Sequence, residues 1–122
     1  MVTLKLLAEV HHVKLEDQVM KAALGMNGSG RYGAQCGLVE GMIMFLGIWG
    51  DLKGYSYGRI QMICNLYAEK FEKTFGSLTC GRLRPEAEAT AEDPAHACRE
   101  LKVKALLMDL AFLDIIEAIV GF

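Results

Sequence analysis

The sequence predicts an all-α protein, a compact bundle of about five helices forming a single domain over residues 1–122. Three observations lead there. Apolar residues recur at helical spacing from Val2 to Val120, and strand-like alternation flanked by turn signals is missing. A length of 122 residues suits one core. Apolar residues make up 52% of the chain and charged ones 23%, which is enough hydrophobic surface to fold and too much for disorder.

The first helix is expected over about Val2 to His11 and the second over about Leu15 to Leu24, with Val19, Ala22 and Ala23 turned inward. The run from Gly25 to Gly33 ends the second, because glycine favours helix termination and left-handed backbone. A third helix, about Gln35 to Trp49, is apolar nearly all round and is expected to be the central, most buried element. Its interior glycines Gly37, Gly41 and Gly47 each cost roughly 1 kcal/mol against alanine, so another backbone or a cofactor is expected close by. The fourth helix, about Tyr57 to Phe75, carries the stripe Ile60, Ile63, Cys64, Tyr67 and Phe71, with Glu69, Lys70, Glu72 and Lys73 opposite. A polar connection follows between Gly76 and Asp93. Asp93 caps the last helix, Pro94 sits in its first turn, and the helix continues to Val120. On it Arg99, Lys102, Asp109, Asp114 and Glu117 are assigned to water. Leu101, Leu107, Met108, Phe112, Ile115 and Ile119 are assigned to the interior or to a second subunit.

Composition narrows the partners. The net charge is -2 and no segment gathers lysine and arginine, which excludes a nucleic-acid footprint. Leu38 to Trp49 is too short to cross a bilayer, and Ala105 to Val120 carries Asp109, Asp114 and Glu117, so no membrane span is expected. Met1 to Lys5 lacks a basic leader, and a cytoplasmic protein is expected. The apolar surplus points to a homo-oligomer, a dimer. Four cysteines in a reducing compartment argue for metal ligation or thiol redox chemistry over a disulfide framework.

Cys36 lies near the start of the third helix, where backbone donors and the helix dipole favour thiolate. Cys80 and Cys98 follow far downstream, while Cys64 reads as a buried, inert thiol. Glu40, one turn from Cys36, could donate a proton to sulfur chemistry or pair with Arg31; a carboxylate at the edge of the bundle is the preferred reading. His11, His12 and His96 are candidate substitute ligands, though solvated helix-end histidines explain them more simply. The glycine run lacks the lysine and Ser/Thr of a phosphate loop and reads as a turn. Met42, Met44 and Met62 read as core filling.

Four elements together, Gly28 to Gly33, Cys36 to Gly41, Phe75 to Cys80, and Cys98 at the head of the last helix, resemble a family of small proteins labelled by the pattern C_GCAxxG_C_C. The family is named for a redox activity inferred from its cysteines, and the resemblance covers essentially the whole chain. Leu38 replaces the family's alanine, and the first family cysteine, in an Asn-Cys-Ala element, has no counterpart. The resemblance implies that Cys36, Cys80 and Cys98 are the cofactor-binding and metal-binding thiolates. A similar module in a multihaem cytochrome holds a [2Fe-2S] cluster on its four family cysteines, as soft, anionic sulfur from separated helices can. The implied chemistry is thus a [2Fe-2S] cluster or a thiol/disulfide switch, and the implied partner is a redox protein. With one ligand short, this chain is expected to bind a cluster poorly or not at all, and a cysteine codon is expected in frame upstream of Met1. Two function classes stay open: an electron-transfer or redox-sensing module, and a cofactor-free helical interaction protein, dimeric, with incidental cysteines. Neither singles out a catalytic side chain.

Overall fold

Leu4, Leu7 and Ala8, spaced to share one helical face, are the buried stripe of α1 (Val2–Val10) in the computed structural model, which describes residues 2–26, 30, 32–79 and 99–121. α1 ends where His12 turns left-handed at φ 56. There the Val13 N–H donates to Ala8 O at 2.8 Å and the His12 N–H to Glu9 O at 3.3 Å, which satisfies the last carbonyls of the helix. The second element is shorter than expected, α2 (Asp17–Ala22) followed by a 3₁₀ turn (Ala23–Gly25). Ala23 is buried and Val19 packs on the core, but Ala22 is exposed.

α3 (Gly37–Leu52) is the central helix that its all-round apolar sequence predicts. Val39, Met42 and Phe45 are fully buried, and Leu38, Leu46 and Trp49 nearly so. Each such large side chain contributes roughly 1.5–3 kcal/mol by leaving water. α1 and α4 pack on it, and α5 closes against both α3 and α4. The expectation of a close backbone holds at Gly41, where an added Cβ would stand 3.2 Å from Thr3 Cβ and 3.6 Å from Leu4 N. It fails at Gly47, where a Cβ would meet nothing within 4 Å. The second close approach is instead at Gly50, where a Cβ would lie 2.8 Å from Ile60 Cγ1. Gly50 carried no distinguishing pattern in the sequence.

α4 (Tyr57–Phe75) has the expected bounds, with the Ser56 hydroxyl accepting from the Arg59 N–H at 3.2 Å as its cap. Ile63, Tyr67 and Phe71 form its buried line, while Glu69, Lys70, Glu72 and Lys73 are exposed. α5 (Arg99–Ile116) passes into a π-helical turn (Glu117–Gly121). Its expected start at Asp93 and Pro94 lies outside the described residues. Its inward face is the expected one in part, for Phe112 is buried and Leu101 and Met108 pack on the core. Ala105, Asp109, Phe112, Leu113 and Ile116 are buried, whereas Leu107, Ile115 and Ile119 are exposed. The misassigned residue is Asp109, placed in water by its charge but in the structure fully buried, with 0% of its surface exposed. Among the described residues there are thus five α-helices and no strand, and no helix is long and apolar enough to cross a membrane.

The two glycines separate helix propensity from packing. Gly47→Ala should stabilise the protein by about 1 kcal/mol, whereas Gly41→Val should destabilise it by about 1–3 kcal/mol by pushing α1 off α3. Urea denaturation followed by circular dichroism measures both.

Candidate functional site

The site is made where two chain segments meet at the head of α3. Left-handed backbone at Gly76, φ 89, ends α4, and its N–H donates to Glu72 O at 2.7 Å. The Ser77 hydroxyl then accepts from the Thr79 N–H at 3.1 Å and lies 3.0 Å from Thr79 Oγ1, which holds a tight turn. The turn lays Leu78 and Thr79 antiparallel to Gln35 and Cys36: Gln35 bridges Thr79, and the Cys36 N–H donates to Leu78 O at 2.8 Å.

Cys36 is the N-cap of α3, in extended backbone (φ -65, ψ 136), and its carbonyl accepts from the N–H groups of Val39 at 3.0 Å and Glu40 at 3.1 Å. Its side chain is 1% exposed. Glu40 accepts a hydrogen bond from Gln35 Nε2 and is partly buried, so its carboxylate braces the residue before Cys36. Its alternative partner, Arg31, lies outside the described residues, as do Cys80, Cys98 and His96. The structure therefore leaves the expected convergence of Cys36, Cys80 and Cys98 open, though Thr79, which pairs beside Cys36, immediately precedes Cys80.

A buried pair that the sequence did not reveal joins α4 to α5. Tyr67 on α4 and Asp109 on α5 are both fully buried, and the Tyr67 hydroxyl donates to Asp109 Oδ1 at 2.5 Å. Asp109 Oδ2 is buried without a hydrogen-bond partner among the described residues. Burial pushes the Asp109 carboxyl up to about 7, against the opposing pull of the Tyr67 hydrogen bond. Burial drives the Tyr67 phenol upward too, helped by the Asp109 charge and hydrogen bond and, more weakly, by the charge of Cys36. Cys36 is thus near enough to act electrostatically on Tyr67. The Tyr67 ring also meets Phe112 edge-on, with centroids 5.4 Å apart. One signal for the pair was available, since a buried tyrosine on an inward stripe needs a partner for its hydroxyl.

The other candidates fall away from this point. Cys64 is partly buried, and burial raises its thiol, which disfavours the reactive thiolate. His11 and His12 line a cavity of about 370 Å³ with Trp49, Leu52, Lys53 and Glu117 at the far end of α3. Thirteen helical residues separate Cys36 from Trp49, about 20 Å along the axis, so neither histidine substitutes for a ligand at Cys36. His11 is partly buried and His12 is the left-handed cap of α1, a structural position. A [2Fe-2S] cage takes four thiolates. The described residues supply one family cysteine, and no three of their His, Cys, Asp and Glu side chains could hold a metal ion.

The head of α3 and the Phe75–Gly76–Ser77 turn carry two of the motifs of a known family. A family model described as "Putative redox-active protein (C_GCAxxG_C_C)" matches residues 1–108. The chain belongs to this family. No curated protein and no solved structure matches it. Within the family pattern, the second glycine of the Cys36–Gly41 element seats α1, and the Phe-Gly-Ser element builds the turn that delivers Leu78 and Thr79 to Cys36.

Asp109 also makes stability depend on pH. Its folded value, about 7, lies above the ordinary carboxyl value of 3.8, so the folded state binds more protons than the unfolded state between the two. Its contribution is complete below about pH 4 and is lost as pH rises through about 7. Relative to an Asp109→Asn variant, the wild type should lose stability across that window and level off above it. Urea titrations at stepped pH read this difference directly. Tyr67→Phe should cost about 1–3 kcal/mol, and more where the carboxyl is ionised, because it strips Asp109 of the one donor it has among the described residues.

Proposed function

We propose that the protein is a thiol redox protein in which Cys36 is the reacting sulfur and Cys80 or Cys98 its resolving partner. The observation that carries this reading is the pairing of Gln35 and Cys36 with Leu78 and Thr79, which brings the residue before Cys80 beside Cys36 in a chain of a redox-labelled family. Cys36 is also the N-cap of α3, at the positive end of the helix dipole, and its side chain makes no cap hydrogen bond. Oxidation breaks two S–H bonds and forms one S–S bond between Cys36 and its partner cysteine. The two electrons and two protons pass to the disulfide of a partner redox protein, which becomes two thiols.

Treatment of the reduced chain with glutathione disulfide, followed by peptide mapping, tests the reading. A disulfide-linked peptide pair containing Cys36 is expected, and it should persist in Cys64→Ser. Absence of any Cys36 linkage would overturn the assignment. Iron and sulfide copurifying in stoichiometric amount under anaerobic conditions would transfer the electron-carrying role from a disulfide to a cluster.

Self-association belongs to the same proposal. Val103, Leu107, Ala111, Ile115 and Ile119, spaced four apart on α5, are all exposed, and such a ridge can pack into the grooves of its own copy. Sedimentation equilibrium at micromolar concentration should show a dimer that Leu107→Glu dissociates; monomer throughout would refute it.

A further inference from the structure

Cys36 is 1% exposed, yet thiol–disulfide exchange brings the attacking sulfur into contact with a sulfur of its partner. Reaction there requires a local opening. Three interactions close the chain at Cys36. Its N–H donates to Leu78 O at 2.8 Å, Gln35 bridges Thr79, and Gln35 Nε2 donates to the Glu40 carboxylate. The first two are backbone contacts to the turn that contains Ser77, Leu78 and Thr79. The third is a side-chain contact that holds Gln35 to α3.

With Cys36 as the N-cap of α3, Gln35 stands one residue before the cap and Glu40 at the fourth helical position. Apolar residues at these two positions often pack on each other and fix the angle at which the chain enters the helix. Here the pair is polar, and both residues are only partly buried. A hydrogen bond within reach of water exchanges for bonds to water at little net cost, which an apolar contact cannot do. α3 keeps its first turn without it, since the Cys36 carbonyl accepts from the N–H groups of Val39 at 3.0 Å and Glu40 at 3.1 Å. The opposing turn is tied by the Thr79 N–H donating to the Ser77 hydroxyl at 3.1 Å, and it joins α4 at Gly76. Gly76 has φ 89 and nothing within 4 Å of where a Cβ would stand, so the backbone is free to change conformation there.

We propose that the Gln35–Glu40 bond is a polar staple that gates Cys36. Closed, it holds Gln35 and Cys36 on the turn after Gly76 and keeps the sulfur from reactants. Open, it lets the two segments part, the turn swinging at Gly76, and admits a disulfide. The Cys36 thiolate then bonds to one sulfur of that disulfide, the other sulfur leaves with the electron pair, and the proton that Cys36 gave up ends on the released thiol. Glu40 touches no reactant; it is a positioning residue that acts through Gln35. The proposal rests on Cys36 being the reacting sulfur.

The test uses the reduced full-length chain with glutathione disulfide as the probe, the mixed disulfide being quantified on the Cys36 peptide. Hydrogen exchange of the Cys36 amide, which donates to Leu78 O, reads the opening in parallel and does not depend on the sulfur. Glu40→Ala should speed both on the order of tenfold, the effect of losing one ordinary hydrogen bond. Glu40→Gln keeps an acceptor for Gln35 without the charge and should hold both within about twofold of the wild type. The double variant Gln35→Leu with Glu40→Leu sets an apolar pair at the same positions and should slow both by about tenfold with no loss of stability in urea. Unchanged rates in Glu40→Ala overturn the gate. A Glu40→Gln protein as fast as Glu40→Ala also overturns it, by assigning the effect to the charge. Faster amide exchange with an unaltered Cys36 rate overturns it too and leaves the thiol reading standing. Should Glu40→Ala fail to fold, the double variant decides, since a Cys36 rate at or above that of the wild type sinks the gate. A Cys36 that stays unmodified in every variant while another cysteine reacts overturns both the gate and the thiol reading.

Discussion

The broad apolar face that α3 buries sets the arrangement of this protein, because each neighbour has to cover part of it. Leu38, Val39, Met42, Phe45, Leu46 and Trp49 lie on that face, while Ile43, Met44, Gly47 and Ile48 on the other side stay partly exposed. One flank accepts α1 because Gly41 removes the side chain that would hold it off. A second flank accepts α4 because Gly50 leaves room for Ile60. α5 then has a fixed place, against α3 and α4 together, which is how a residue as far along the chain as Asp109 reaches Tyr67. The two close-packing glycines lie near opposite ends of α3, so the neighbours are set in register along its length as well as around it.

The same helix sets the position of Cys36. Cys36 lies at the end of α3 where unpaired N–H groups collect, and the return of the chain after Gly76 supplies Leu78 O as acceptor for the Cys36 N–H. A buried N-cap with an unmet amide would be costly. The family's Phe-Gly-Ser turn is therefore structural support for the family's Cys-Gly element, and the two motifs are better understood as halves of one joint than as separate signatures. Conversely, the cavity beside His11 and His12 belongs to the opposite pole of α3; there His12 closes α1 and Lys53 pairs with Glu117 at 3.6 Å, while His11 Nε2 is buried with no hydrogen-bond partner among the described residues.

Periodicity carried most of the fold. α4 was legible to its end residues because Ser56, Gly76 and an unbroken apolar stripe all agree. α5 was harder to read because its apolar residues occupy two stripes, one at Ala105, Phe112, Leu113 and Ile116 and another at Val103, Leu107, Ile115 and Ile119, and the charge of Asp109 hid its place on the first. No local rule could recover it, since Asp109 is tolerable inside only because a hydroxyl 42 positions away in sequence donates to it. The place of Cys36 at the head of α3 was legible from its glycine context. The pairing of Gln35 with Thr79 was not, because a single bridge between two loops leaves no periodic trace.

What remains to be explained is why a carboxyl occupies that position at all. An asparagine could accept from Tyr67 with nearly the same shape and would carry no charge to desolvate; an apolar residue paired with phenylalanine would avoid the polar contact entirely, and such replacements are often neutral or stabilising. Asp109 has the opposite property, for each ionisation above about pH 7 erodes the fold. The residue thus trades stability for a group that can exchange a proton near neutrality in a place that water does not reach. The family match ends at residue 108, one position before Asp109. A charge-capable side chain held by one hydroxyl from α4 makes the join between α4 and α5 the part of the core whose stability answers to pH.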